Sequence, residues 1–244
     1  MKNRWKPILI AVIVLVLLAG VLVWSRLYRV VAQPKWIAGD QRTTYFYGSV
    51  EAGKATGIPY WIWLAMPRIF PEHMPGTGGY ASLGLSWEEG REMPVGFAKQ
   101  RVGYNRVTGN CALCHVISQS SGSDQPPIIV AAIPGRTTDL KPLLTFLREC
   151  AADSRFNADE FFAEIDSDTK FKYLDQLLYR YVLIPRTRKA LIADPAQVLF
   201  SPALRAHISD PHSSEPFSDP SMRALRDIVI QKSQPVQKQV SPNP

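Results

Sequence analysis

At 244 residues, 46% of them apolar, the chain is long enough to bury a core and fits one domain of generous size more naturally than two small ones. Its formal charge of +7 points to nucleic acid only until it is divided along the chain. Lys2, Arg4, Lys6, Arg26 and Arg29 fall in a leading segment without acids; setting these five aside leaves 23 basic against 21 acidic residues, which excludes nucleic acid as a default partner.

Pro7 to Trp24 is a run of 18 uncharged residues, PILIAVIVLVLLAGVLVW, long enough as a helix to cross most of a hydrocarbon core of roughly 30 Å. It is apolar all round and has basic residues on both sides, unlike a buried helix of a soluble domain. Lys2, Arg4 and Lys6 ahead of it favour a cytoplasmic N-terminus and an exported body. The expectation is a single-pass anchor over residues 1–29 in the inner (cytoplasmic) membrane, with the body on the periplasmic side. A cleaved signal peptide is the alternative, with Val30-Val31-Ala32 as a weak cleavage site. The length of the run, and the lack of a following Cys for lipid attachment, favour the uncleaved anchor.

From about Pro34 to Gly109 the chain is dense in Gly, Pro and aromatic residues, with no sustained helical periodicity. GIPYWIWLAMPRIF, Gly57 to Phe70, predicts a short buried helix that Pro59 opens and Pro67 ends one residue after Met66. PGTGGYASLGLSWEEGREMPVG then predicts loops with one short hairpin. Ser118 to Pro127, SQSSGSDQPP, predicts an exposed loop. Helices follow. Asp139 can cap one whose Leu140, Leu143, Leu144, Leu147 and Ala151 share a face, and Asn157 can cap a second, NADEFFAEI, with acids in its first turn. A third is expected from about Asp168 to Leu183, with Phe171, Leu174, Leu178 and Tyr181 on its stripe and Pro185 closing it. The fold class expected is mainly α, an irregular, loop-rich domain (30–232) behind one N-terminal transmembrane helix, with a disordered tail over 233–244.

The chemistry lies in Asn110-Cys-Ala-Leu-Cys-His115, which contains C-x-x-C-H, the attachment signal of c-type haem. Two thiols with two residues between them can reach the vinyl groups of neighbouring pyrroles, and His115, next in sequence, is brought under the ring centre as the iron's proximal ligand. The competing readings are a redox C-x-x-C of thioredoxin type and half of a zinc site. No βαβ pattern surrounds the motif and no second C-x-x-C is present. The cofactor expected is therefore one covalently bound haem c, with iron on His115. For the sixth iron position Met66 reads as core and His73 and Met74 as exposed loop beside Pro71 and Pro75, which leaves Met93, His207, His212 and Met222, with none of them favoured as a ligand over an ordinary core or surface residue. Haem propionates want cationic donors; Arg101 and Arg106 are the candidates near the motif, with Arg186 and Arg188 further on. Cys150 sits on a Leu-rich helix face and reads as a small buried apolar residue.

YFYGSVEAGKATGIPYWIWLAMPRIFPE, GGYASLGL, MPVGFAKQRVGYNRVTGNCALCH and LLYRYVLIPRTRKAL follow one another between Tyr45 and Leu191. Together they resemble the N-terminal half of the rubber-oxygenase-like dihaem cytochromes, relatives of bacterial cytochrome c peroxidases. The resemblance implies a mostly helical, loop-rich, exported body, with Cys111 and Cys114 as attachment sites and His115 as proximal ligand. Its latex-cleaving members bind dioxygen at the N-terminal haem, with an aromatic residue on the distal side. Peroxidase chemistry in these relatives uses two haems, and this chain carries a single C-x-x-C-H. The function expected is a membrane-anchored monohaem cytochrome acting in electron transfer with a redox partner protein. Two alternatives stand beside it: an oxygenase- or peroxidase-type enzyme with an open distal site, and the haem subunit of a larger membrane complex.

Overall fold

The computed structural model describes residues 5–31, 37, 39–49, 56–119, 128–131, 138–165 and 173–209. The uncharged run becomes the body of α1, Trp5–Tyr28, and its stretch from Trp5 to Ser25, 21 residues of mean hydropathy 3.1, is long and apolar enough to cross a membrane. None of that stretch is buried against the rest of the chain. Beyond it the backbone is tied down at once. Val30 lies antiparallel to Val102, the Val31 N–H donates to the Arg101 carbonyl at 3.0 Å, and the Gly103 N–H donates to that of Arg29 at 2.7 Å.

Asp40 caps α2, Gln41–Tyr47, accepting from the Thr43 N–H and hydroxyl, and the helix buries Tyr45, Phe46 and Tyr47. Two turns are too short for a hydrophobic period to register, so the sequence gives no warning of this helix. Strand β1, Ile58–Pro59, runs straight into α3, Tyr60–Ile69. The sequence ends this helix at Met66; the structure carries it to Ile69 with Pro67 inside. Proline has no N–H for the Trp63 carbonyl four residues back, and the buried Tyr80 hydroxyl donates to that carbonyl at 2.8 Å instead. Tyr80 also stacks on the Trp63 ring, with centroids 3.9 Å apart.

The Gly- and Pro-rich stretch forms 3-10 turns over Pro71–His73 and Gly79–Leu83. The hairpin expected within it comes just afterwards, as β2 (Phe97–Val102) and β3 (Tyr104–Gly109) on either side of Gly103, giving an antiparallel sheet of order β1-β3-β2. A second hairpin pairs β4, Val116–Gln119, with β5, Ile128–Ala131. Ser118 and Gln119 are thus strand, not loop; the rest of the expected loop, 120–127, lies outside the described residues.

The helical half follows its caps. Asp139 accepts from the Lys141 N–H at 2.9 Å at the start of α4, Lys141–Ala152, whose buried face is Leu143, Phe146, Leu147, Cys150 and Ala151. Asn157 accepts from the Asp159 and Glu160 N–H groups at 3.0 and 3.2 Å at the start of α5, Ala158–Ile165. The third helix departs from expectation. It is described from Tyr173 as α6, Tyr173–Leu178, widens into a π turn over Tyr179–Leu183, and runs on through Pro185 as α7, Ile184–Ala193. The wider turn, in which the Ile184 N–H donates to the Tyr179 carbonyl five residues back, absorbs the proline that would otherwise break the helix. It also rotates the stripe: Leu174 and Tyr181 are 60% and 71% exposed, while Tyr179, Leu183 and Ile184 are buried. Phe171 lies outside the described residues. Asp194 caps α8, Pro195–Leu199, and α9, Pro202–Ser209, is the last described element; the expected tail over 233–244 lies beyond it. The chain is mainly helical, and one cluster of buried side chains joins the sheet, α3 and α4.

Candidate haem-attachment site

Asn110, extended at the end of β3, starts the motif. Its side-chain oxygen accepts from the Ala112 N–H at 2.9 Å, while its amide nitrogen donates to the carbonyls of Phe46 and Gly48 at 3.2 and 2.9 Å. An Asn in this position is an N-cap, and here it also ties the motif to the end of α2. From it the chain winds through a tight turn, Cys111–Leu113. The N–H groups of Leu113, Cys114 and His115 donate to the carbonyls of Asn110, Cys111 and Ala112 at 3.2, 3.3 and 3.2 Å. Residues three apart in such a turn follow one another by about one turn, which sets Cys114 one turn after Cys111, with His115 next.

Two glycines let a neighbouring backbone and a neighbouring ring close on this turn. Gly96, at φ +88°, donates to the Phe46 carbonyl at 3.0 Å and accepts from the Asn110 N–H at 2.8 Å; a Cβ on it would lie 2.3 Å from the Leu113 Cα. Gly109 lies against Phe200, whose ring a Cβ would meet at 2.5 Å.

Cys114 and His115 are buried, at 0% and 4% exposure, and Cys111 is half-buried at the edge. None of the three cysteines is in a disulfide. The three donors of the motif do not converge. Among the described residues the only trio of His, Cys, Asp or Glu donor atoms within 4.8 Å of one another is Glu72, His73 and Asp153, which includes no residue of the motif. A zinc ion needs its ligands to converge on one point. Covalent haem needs two thiols at the ring's edge and an imidazole at its centre, so it does not require the three donors to meet at one point, and the arrangement here is compatible with that group.

The sheet separates the two arginines named as propionate candidates. Gln100 pairs with Arg106 and Arg101 with Asn105, so Arg101 and Arg106 point to opposite faces. Arg101 is exposed. Arg106 is buried, with its guanidinium 4.2 Å from the Tyr104 ring centre; burial first, and Arg186 further, lower its pKa, which Tyr104 partly offsets. Arg186 is exposed, and Arg188 donates to the carbonyls of Ala151 and Asp153 at 3.0 and 3.1 Å, closing the C-terminal end of α4.

The candidates for the sixth iron position scatter. Met66 and Met93 are buried in the core, and Met74 packs partly against it. His73 faces Glu149 and Asp153, each at 3.7 Å. The His207 side chain, His212 and Met222 lie outside what is described. Cys150 is fully buried, and its thiol is pushed well above the ordinary value by burial first, then by Glu149 and Asp153, as suits an unreactive core residue. Sequence reasoning missed the roles of Asn110 and Gly96. The first was legible as a cap one residue before a turn; the second depends on residue 96 meeting residue 113, which no local pattern reveals.

No family model, curated protein or solved structure matches the chain.

Proposed function

We propose that this chain is a membrane-anchored c-type cytochrome that holds one haem at Cys111–His115 and acts in electron transfer, with its body on the outer side of the inner membrane. The observation that carries the proposal is the C-x-x-C-H turn itself: Asn110 caps it, Cys111 and Cys114 lie three residues apart on it with His115 next, and the three donors do not converge on one point. Cys111 and Cys114 would form the two thioethers, and His115 would ligate the iron. When bound, the group supplies a one-electron Fe(II)/Fe(III) couple. The residues around it supply position and dryness. Asn110 and Gly96 fix the turn against α2, and the buried setting of Cys114 and His115 would limit water at a haem held there. Of the two arginines named for the propionates, Arg106 is the one that the sheet turns inward; a buried cation there would favour a carboxylate brought to it.

The test is the pyridine haemochrome spectrum of the full chain, expressed with a haem-attachment system. One covalent c-type haem per chain is expected, with loss of covalent haem when Cys111 and Cys114 are both changed to Ala. Covalent haem surviving that double change, or none in the wild type, would overturn the proposal. Carbon monoxide added to the reduced protein separates the carrier from an open-site enzyme: a six-coordinate carrier leaves its spectrum unchanged, and rapid binding would assign the oxygen- or peroxide-binding role instead.

A further inference from the structure

The end of α1 and the sheet are joined with almost no slack. The apolar stretch ends at Ser25, and Arg29, four residues or about 6 Å further along a helix, already accepts a backbone hydrogen bond from Gly103. The 21 apolar residues span about 31 Å, close to one hydrocarbon core, and the polar layer outside that core is roughly 5 to 8 Å thick on each face. A helix placed across a bilayer therefore sets the turn between β2 and β3 within the headgroups.

The side chains gathered there suit that layer. Arg29, Arg101 and Arg186 are exposed, and none of them is in an ion pair among the described residues. Tyr28 is 43% exposed, and Tyr104 is half-buried. Arg186 comes from α7, and Arg106, whose guanidinium lies 4.2 Å from the Tyr104 ring, Arg186 and Tyr28 each act electrostatically on the Tyr104 phenol. Tyrosines at the end of an apolar helix suit either interface of a membrane, and exposed arginines beside them can pair with lipid phosphates.

We infer that Arg29, Arg101 and Arg186, with Tyr28 and Tyr104, form a collar that docks the body directly on the phosphates of an anionic lipid surface. This rests on reading α1 as spanning a membrane. The collar holds the body in one orientation instead of leaving it on a loose tether, and it presents the opposite end to a redox partner.

The full chain is reconstituted in vesicles of phosphatidylglycerol and phosphatidylcholine containing a lipid with a quencher in its headgroup. A fluorescent amino acid is placed at Asn105, or separately at Trp24 as the marker of the span's end, and intensity is compared with and without the quenching lipid. Docking gives matching quenching at the two positions. The combined change Arg29→Glu, Arg101→Glu and Arg186→Glu should relieve quenching at Asn105 and leave Trp24 as it was. Quenching at Trp24 without quenching at Asn105 would overturn the collar but not the span, and so would a charge reversal without effect; the arginines would then be left for an acidic partner protein. Absence of quenching at both positions would overturn the span, and the collar with it.

Discussion

Around the Cys111–His115 turn the chain is positioned by main-chain contacts, whereas around α4 and α7 it is positioned by side-chain volume. At the turn, the carbonyls of Phe46 and Gly48, the backbone of Gly96 and the amide of Asn110 meet in one knot of hydrogen bonds. In the helical pack, Leu143, Phe146 and Leu147 on α4 fill the core, and Phe146 lies edge-on to Tyr80 with centroids 5.8 Å apart. The first arrangement tolerates no added atoms, and the second tolerates no missing ones. As the proposed haem site, the turn would gain from the first kind, because hydrogen-bonded backbone has fewer alternative arrangements than an apolar contact.

The sharpest way to break this contrast is to add a methyl group at the knot. Gly96→Ala demands both a φ of +88° and a Cβ inside the Leu113 backbone, so a loss of about 4 kcal/mol or more is expected in chemical denaturation of the full chain in detergent. Covalent haem yield should fall with it. Removing volume from the helical pack comes next. Phe146→Ala should cost about 3 to 4 kcal/mol, with normal covalent haem in the protein that does fold. If Phe146→Ala depleted haem as severely as Gly96→Ala, the two regions would not be separable in the way drawn here.

The same division explains what could be read from the sequence. The starts of α4 and α5 were legible because Asp139 and Asn157 are local signals, each acting on N–H groups two or three residues away. The spacing of Cys111, Cys114 and His115 is likewise a local signal. What could not be read involves distant partners. Pro67 stays inside its helix because Tyr80, thirteen residues on, donates to Trp63; Pro185 stays inside because a π turn forms ahead of it. α2 was invisible at two turns, and the inward or outward setting of Arg106 and Arg101 follows from strand register, which the residues alone leave open.

Asn110→Ala tests the knot more gently. It removes one acceptor and two donors and leaves the Gly48 carbonyl without its donor, for an expected loss of about 2 kcal/mol. Asn110→Asp keeps the cap to Ala112 but loses the donors, so it should recover only part of that loss. Full recovery would locate the effect in the cap and not in the tie to α2.

The smallest effect should come from acid, and it should be felt on the sheet side first. Glu92 accepts from the Tyr60 hydroxyl and from Lys99 at 2.7 Å, and Lys99 lies 3.7 Å over the Tyr60 ring. Burial alone would raise the Glu92 carboxyl, but these two hydrogen bonds outweigh it and hold the pKa below the ordinary value. A carboxyl with a depressed folded pKa contributes stability that is complete above its unfolded value, 4.5, and is lost as pH falls through the lower folded one. Glu92 is half exposed, so after screening the contribution is under about 1 kcal/mol. In the helical pack, Cys150 is shifted the other way: its raised pKa keeps the neutral thiol favoured, and that contribution is lost only as pH rises past 9.0. Hydrogen exchange at pH 3 to 4 should therefore quicken around Tyr60 and Lys99 without a matching change around Cys150, and Glu92→Gln should remove the difference between acid and neutral pH. Equal quickening in both regions, or an acid response unchanged in Glu92→Gln, would show that the two halves unfold as one unit whose weakest point lies elsewhere.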